Sequence, residues 1–285
     1  MKMKEFFDIC GHTLIRYQGD NRLVVIPETI RFIAKEAFLR NAKVCEVVLP
    51  AHLVSIGNSA FEGCKNLRYI QIPDTILNVG ERAFFGCEKL PIVYHSHSYY
   101  IGNEENPYVV LLESEGAAET CTVHSGTVAI AASAFNGNTK LKELSLPKSV
   151  RGISESTFCG CSSLNRLTIQ SDHLLHIGKW AFSGCPSKIY HCYRGAYYLG
   201  NEKNPFLALI SCLDANCHRA KVHPDTRVIA PSSFWGCQWI RSLRIPSRVE
   251  AIGEEAFAHF KRLHIKVPTN IIVEKDAFYG CLQVQ

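Results

Sequence analysis

The sequence has no long apolar run. Stretches such as Val109 to Leu112 are interrupted almost at once, far short of the roughly eighteen residues that cross a bilayer, so membrane insertion is not expected. It has little charge bias: 31 Lys and Arg against 26 Asp and Glu leave a net +5, too weak to argue for nucleic acid. It also lacks the common catalytic signatures, with no G-x-S-x-G elbow, no G-x-x-x-x-G-K-[ST] loop, no H-E-x-x-H and no G-x-G-x-x-G after a strand. Paired carboxylates such as Glu104-Glu105 and Glu254-Glu255 read as solvated turn residues. Neither an enzyme nor a cofactor is expected. Fourteen asparagines include no N-x-[ST] acceptor. The opening MKMKEFFDIC offers two lysines, but Glu5 and Asp8 stand where the apolar part of a secretory signal should follow. The chain as written is therefore expected to be cytoplasmic, with a secreted or cell-surface location as the alternative if a signal has been removed.

What the sequence does have is self-similarity. IGNSAFEGCKNLRYIQIP (Ile56 to Pro73) is answered by VGERAFFGCEKLPIVYHS (Val79 to Ser96) and again by ISESTFCGCSSLNRLTIQ (Ile153 to Gln170). The anchoring aromatics are Phe38, Phe61 and Phe84, then Phe135, Phe158 and Phe182, then Phe234, Phe257 and Phe278. Spacing inside each triplet is close to 23 residues, while the gaps between triplets are 51 and 52. The domain reading is a single solenoid over residues 1–285, in blocks 1–98, 99–196 and 197–285, each holding three repeats.

The unit reads I-P-x-x-v-x-x-I-G-x-x-A-F-x-G-C-x-x-L-x-x-I-x-I-P. Its tail has the two-residue alternation of a half-buried strand, as in Leu67, Ile70 and Ile72. Pro follows in five tails (Pro50, Pro73, Pro147, Pro246, Pro268) and ends the strand, having no amide to donate. The glycine after the Ile (Gly57, Gly80, Gly178, Gly253) is expected to supply a bend with positive φ. A single such coil cannot bury its own apolar face, so coils must stack and share one core.

This pattern resembles the BspA-like class of bacterial leucine-rich repeats, from about Leu14 to Cys281. The resemblance implies a β-rich leucine-rich-repeat solenoid, a right-handed α/β-type superhelix with short helical or 3-10 turns, here of nine coils with β-hairpin inserts, and a repeat that binds proteins, commonly displayed on host-associated bacteria and used in adhesion.

Two inserts introduce the later blocks and match closely: YYIGNEENPY (Tyr99 to Tyr108) and YYLGNEKNPF (Tyr197 to Phe206). Their Gly-Asn and Asn-Pro dipeptides are turn signals between strand-like runs, so each reads as a β-hairpin whose aromatics pack on the coil edge. The first block carries only the second half of this segment, His12 to Pro27. Of the thirteen cysteines, Cys64, Cys87, Cys161, Cys185, Cys237 and Cys281 lie three residues after an anchor Phe and read as free thiols in a buried ladder. The cluster Cys212, Cys217, His218 and His223 has poor spacing for a zinc site, and no metal is expected.

The residues between the buried positions of L-x-x-I-x-I point outward. They form two columns that include Glu46, Tyr69 with Gln71, and Tyr94 in the first block, and Glu143 and Arg166 with Thr168 in the second. Arg244 and Lys266 continue them in the third. These nine are the candidate protein-binding residues. The function read from the sequence is a non-enzymatic protein-interaction module, adhesin-like, with an intracellular scaffold as the alternative. The final repeat stops at CLQVQ without a full strand, which leaves an open edge suited to a homodimer contact.

Overall fold

The computed structural model describes residues 6–116, 118–213, 220–237, 239–260, 264–269, 271–281 and 283–284. Each repeat contributes two short strands. In the first block the v-x-x-I segments give Phe32–Ile33, Ser55–Ile56 and Asn78–Val79, and the L-x-x-I-x-I tails give Leu23–Val25, Glu46–Val48 and Tyr69–Ile70. Like positions stack in parallel register: Ile33 beside Ile56 beside Val79, and Val24 beside Val47 beside Ile70. Identical apolar side chains therefore form columns that close the core, and each block is a pair of parallel sheets.

The inserts are rungs of the solenoid. Phe7–Cys10 pairs antiparallel with Thr13–Tyr17 at the head of block one. Three-stranded meanders, Val93–His95, Ser98–Ile101 and Val110–Ser114, then His191–Tyr193, Ala196–Leu199 and Ala208–Cys212, head the other two. The last strand of each pairs in parallel with the first repeat strand, through Leu14–Ile33, Leu111–Ile130 and Leu209–Ile229. The solenoid has about eleven turns, and the count of nine coils leaves these rungs out. The tight links Ser96-His97 and Arg194-Gly195 have positive φ at both residues, the geometry of hairpin turns that match strand twist. The chain end also differs from expectation, since Gln283–Val284 forms the strand that CLQVQ was too short to promise, in parallel with His264–Lys266.

The expected β-rich solenoid is present, but the helices of an α/β-type superhelix are not: among the described residues helix is confined to short 3-10 turns, of which Ser187–Ile189 is fully described. The reason lies in the A-F-x-G-C segment, whose amides alternate in direction. Ala37, Leu39 and Asn41 donate back three residues, to Ala34, Glu36 and Phe38, while Glu36, Phe38 and Arg40 donate to Asn58, Ala60 and Glu62 of the next coil at 2.7–3.0 Å. Flipping every second peptide requires positive φ two residues before and two after the anchor, and all nine copies have it. Glycine supplies the later position in seven, from Gly63 to Gly280. Amides committed between coils cannot also close helical turns, so the segment runs as a turn ladder.

A different cause governs the glycines after the Ile. Gly57, Gly80, Gly178 and Gly253 do not have positive φ; a Cβ there would lie 2.2–2.5 Å from backbone of the preceding coil. Close stacking, and not a bend, excludes a side chain. The anchor rings stack along each block at 4.8–5.5 Å, from Phe38 through Phe84, Phe135 through Phe182 and Phe234 through Phe278. In block one Tyr17 and Phe7 extend the stack at its head.

Candidate strand faces and junction clefts

The outward side chains of the tail strands form three separate faces, one per block, each of three strands. On the first, Leu23, Val25, Val48 and Tyr69 are exposed apolar groups, with Glu46 held by Arg68 Nη2 at 2.6 Å. Gln71 is tied down at both ends: its Nε2 donates to Tyr69 Oη and its Oε1 accepts from the Glu104 amide. The second face is polar, with Glu143 beside Arg166 at 4.0 Å and Thr168 in register with Ser145. The third sets the exposed cations Arg244 and Lys266 side by side. Tyr94 does not join the columns. It lies in the meander strand Val93–His95, on the other sheet, because the chain leaves the tail sheet after Tyr69–Ile70. There Tyr94 and Tyr99 both donate to Glu115, at 2.7 and 3.0 Å; these hydrogen bonds hold the carboxyl below its usual range and push both phenols up.

The duplicated N-x-x-N-P motif is a staple. Asn103 Oδ1 accepts from the Glu105 and Asn106 amides while its Nδ2 donates to Ile72 O, and Asn106 Nδ2 reaches Gly126 O. Asn201 and Asn204 repeat every one of these contacts. Tyr100 and Tyr198 are fully buried, so one tyrosine of each pair serves packing.

Cysteine in the ladder is a hydrogen-bond donor. Cys64, Cys87, Cys161, Cys185 and Cys281 each give Sγ–H to the carbonyl of an anchor Phe in the preceding coil, at 3.0–3.2 Å. Where Asn41 replaces Cys, its Nδ2 does the same to Gly19 O. Burial pushes the thiols of Cys64 and Cys161 up to about 11 and those of Cys87 and Cys185 up to about 12. Ten of the described cysteines, Cys64, Cys87, Cys161, Cys185 and Cys281 among them, are free thiols. Of the four residues weighed as a metal cluster, Cys217 and His218 lie outside the described residues. His223 is stacked on Phe206 at 4.0 Å, and its Nδ1 accepts from the Asp225 amide. Among the described residues no group of three or more His, Cys, Asp or Glu could hold a metal ion.

Two clefts went unforeseen. The hairpin coils carry no A-F-x-G-C segment, so the turn ladder misses a rung at each block junction. Where Tyr17 continues the ring stack of block one, the equivalent strand positions hold Ser114 and Cys212. The first cleft, about 480 Å³, is walled by Gly80 to Phe85 and by Ala131 to Ser133. The second, about 570 Å³, is walled by the equivalent Ile177 to Cys185 and Ala230 to Ser232, with Trp235. At these breaks the outward amides of the last turn have no next coil. Among the described residues no acceptor meets the N–H of Arg82, Phe84 and Gly86 at the first junction, or of Trp180, Phe182 and Gly184 at the second. The available signal was Trp180, which interrupts a column of Ser, Glu, Arg and Asp two residues before the anchors.

Comparison with known proteins bears directly on this architecture. The model of the BspA type leucine rich repeat region matches residues 17–105, 114–193 and 213–285 in six copies. The chain belongs to this family. Among curated proteins nothing matches. Solved structures similar to this repeat chain include a leucine rich repeat protein of T. pallidum, at 24% identity over 65% of this chain and 88% of that one, with a TM-score of 0.36. A leucine rich cell surface protein of Faecalibacterium prausnitzii matches at 22% identity, over 96% and 83% of the two chains, TM-score 0.32. The pneumococcal vaccine antigen PcpA matches at 20%, over 96% and 68%, TM-score 0.32. No helix among the described residues of this BspA-type chain is long and apolar enough to cross a membrane.

Proposed function

We propose that this BspA-type repeat chain is a non-enzymatic protein-binding module acting at a bacterial cell surface, as an adhesin does, through the outward faces of its tail strands. The observation that carries the reading is the first face, where Leu23, Val25, Val48 and Tyr69 stand exposed side by side on one parallel sheet. Exposed apolar clusters rimmed by charge are where soluble proteins receive partners. The polar pair Glu143–Arg166 with Thr168, and the cations Arg244 and Lys266, give the second and third faces a different chemistry. Gln71 and Tyr94 contribute by fixing the neighbouring meander, since both are engaged within the chain.

The test is surface plasmon resonance of the chain over immobilised, purified host extracellular-matrix proteins, comparing wild type with Val48→Ser/Tyr69→Ala and with Arg244→Ser/Lys266→Ser. Loss of a wild-type signal in either folded double variant supports the strand faces. A signal unchanged in both removes them. A second reading, an intracellular scaffold, is favoured by the free, protonated thiols of Cys64 and Cys87. Localising the chain in fractionated cells separates the two.

A further inference from the structure

The second junction cleft differs from the first in one respect that bears on ligands: two exposed indoles line it. All three tryptophans of the chain are exposed, and two of them, Trp180 at 58% and Trp235 at 67%, line this cleft. Tyr190 and Tyr197, stacked on one another at 5.0 Å, form another wall. Trp180 has a φ of 56°, at a position where four of the other eight copies hold Ser. A bulky side chain is rare in that conformation, so nothing in the backbone calls for an indole there. At the first junction the equivalent of Trp180 is Arg82. Its guanidinium lies over the Phe85 ring at 4.0 Å and is locked on both oxygens of Glu62, at 2.7 and 3.2 Å, so an arginine and a phenylalanine stand there and no indole.

The chemistry of an occupant follows from three observations. The amides of Trp180, Phe182 and Gly184 lack acceptors among the described residues, and their counterparts elsewhere in each block receive alternate carbonyls of the neighbouring coil. An occupant therefore offers carbonyl oxygens. The walls are aromatic, which suits flat, rigid, apolar rings. Lys179 and Glu255 in the lining pair with each other at 2.8 Å, so the cleft calls for no net charge.

We propose that the cleft between the second and third blocks binds a neutral, proline-rich peptide segment in extended conformation, its carbonyls taking the amides of Trp180, Phe182 and Gly184 and its prolyl rings stacking on Trp180 and Trp235. A prolyl segment is rich in acceptors, brings no amide of its own to leave unpaired, and is already extended before it binds. This site does not depend on the strand faces.

The experiment titrates the whole chain with a proline decamer by calorimetry and tryptophan fluorescence, with a Gly-Ser decamer and cellohexaose as parallel probes. Amide shifts are read by 15N–1H NMR. The expected result is binding of the proline decamer alone, with shifts at Trp180, Phe182 and Gly184 that exceed those at Arg82, Phe84 and Gly86. Trp180→Ser and Trp235→Asn, which install residues found at equivalent positions, should each weaken binding at least about tenfold with an unchanged melting temperature. Arg82→Ser should leave binding as it was. No binding of the proline decamer, undiminished binding in both tryptophan variants, equal binding of the Gly-Ser decamer, or binding of cellohexaose alone would each overturn the proposal.

Discussion

At the first block junction Ala132 donates its amide to Val79 O at 2.8 Å, and Ser154 Oγ accepts the Val79 amide at 3.0 Å. At the second junction Pro231 and Gly253 occupy those positions, and neither bond can form: proline has no N–H and glycine no hydroxyl. Side chains take over, with His176 Nδ1 against Glu274 Oε1 at 2.6 Å and Lys179 Nζ on Glu255 at 2.8 Å. Blocks of the same fold are thus joined once through buried backbone and once through partly exposed polar pairs. Salt is therefore expected to act on the second joint more than on the first.

Substitutions can break or sharpen this contrast. The largest effect is expected inside a block: Phe158 is fully buried between Phe135 and Phe182, and Phe158→Ala should cost on the order of 3–5 kcal/mol in urea denaturation. Phe84, whose ring has a ladder neighbour on one side, should cost less. Next comes Gly152, whose absent Cβ would lie 1.9 Å from Leu77 O. Gly152→Ala should cost at least about 1–3 kcal/mol, whereas its counterpart Ala251→Gly at the second junction should cost about 1 kcal/mol or less. Equal effects would mean that the two joints are equally tight.

Ser154→Ala leaves the buried Val79 amide without its acceptor and should cost about 1–3 kcal/mol at any salt concentration. Glu255→Gln should cost below about 1 kcal/mol and less still in high salt. A salt-dependent Ser154 effect would overturn the distinction. The smallest effect at neutral pH belongs to the thiol ladder. Folded Cys64, Cys87, Cys161 and Cys185 keep their protons to about 11 or 12, while an unfolded thiol ionises from its ordinary 9.0. Their contribution is complete below pH 9 and is lost as pH rises through the folded values. Replacing all four by Ser should flatten that alkaline decline in a pH series of melts.

The rings, the tail strands and the thiol ladder were legible in the sequence because each recurs at fixed spacing, and stacking requires like residues in like places. The columns Glu46–Tyr69, Glu143–Arg166 and Arg244–Lys266 were legible for the same reason. Tyr94 was misplaced because its repeat carries the motif but the chain diverts into a meander, and a pattern along one strand does not say which sheet will receive it. Gly57 and its equivalents were given the wrong cause, since a required bend and a forbidden Cβ call for the same residue. Seven of the ten described glycines with positive φ stand two residues after an anchor, where alternating amides demand them.

What the sequence alone determined is the repeat unit and the columns that close the core, because periodic burial is written residue by residue. What only the tertiary structure decided is that the inserts become rungs, that the turn ladder skips one rung at each junction, and that Trp180 and Trp235 meet across a cleft. Those depend on which backbone amides find acceptors in a neighbouring coil, and that pairing joins residues far apart in the chain.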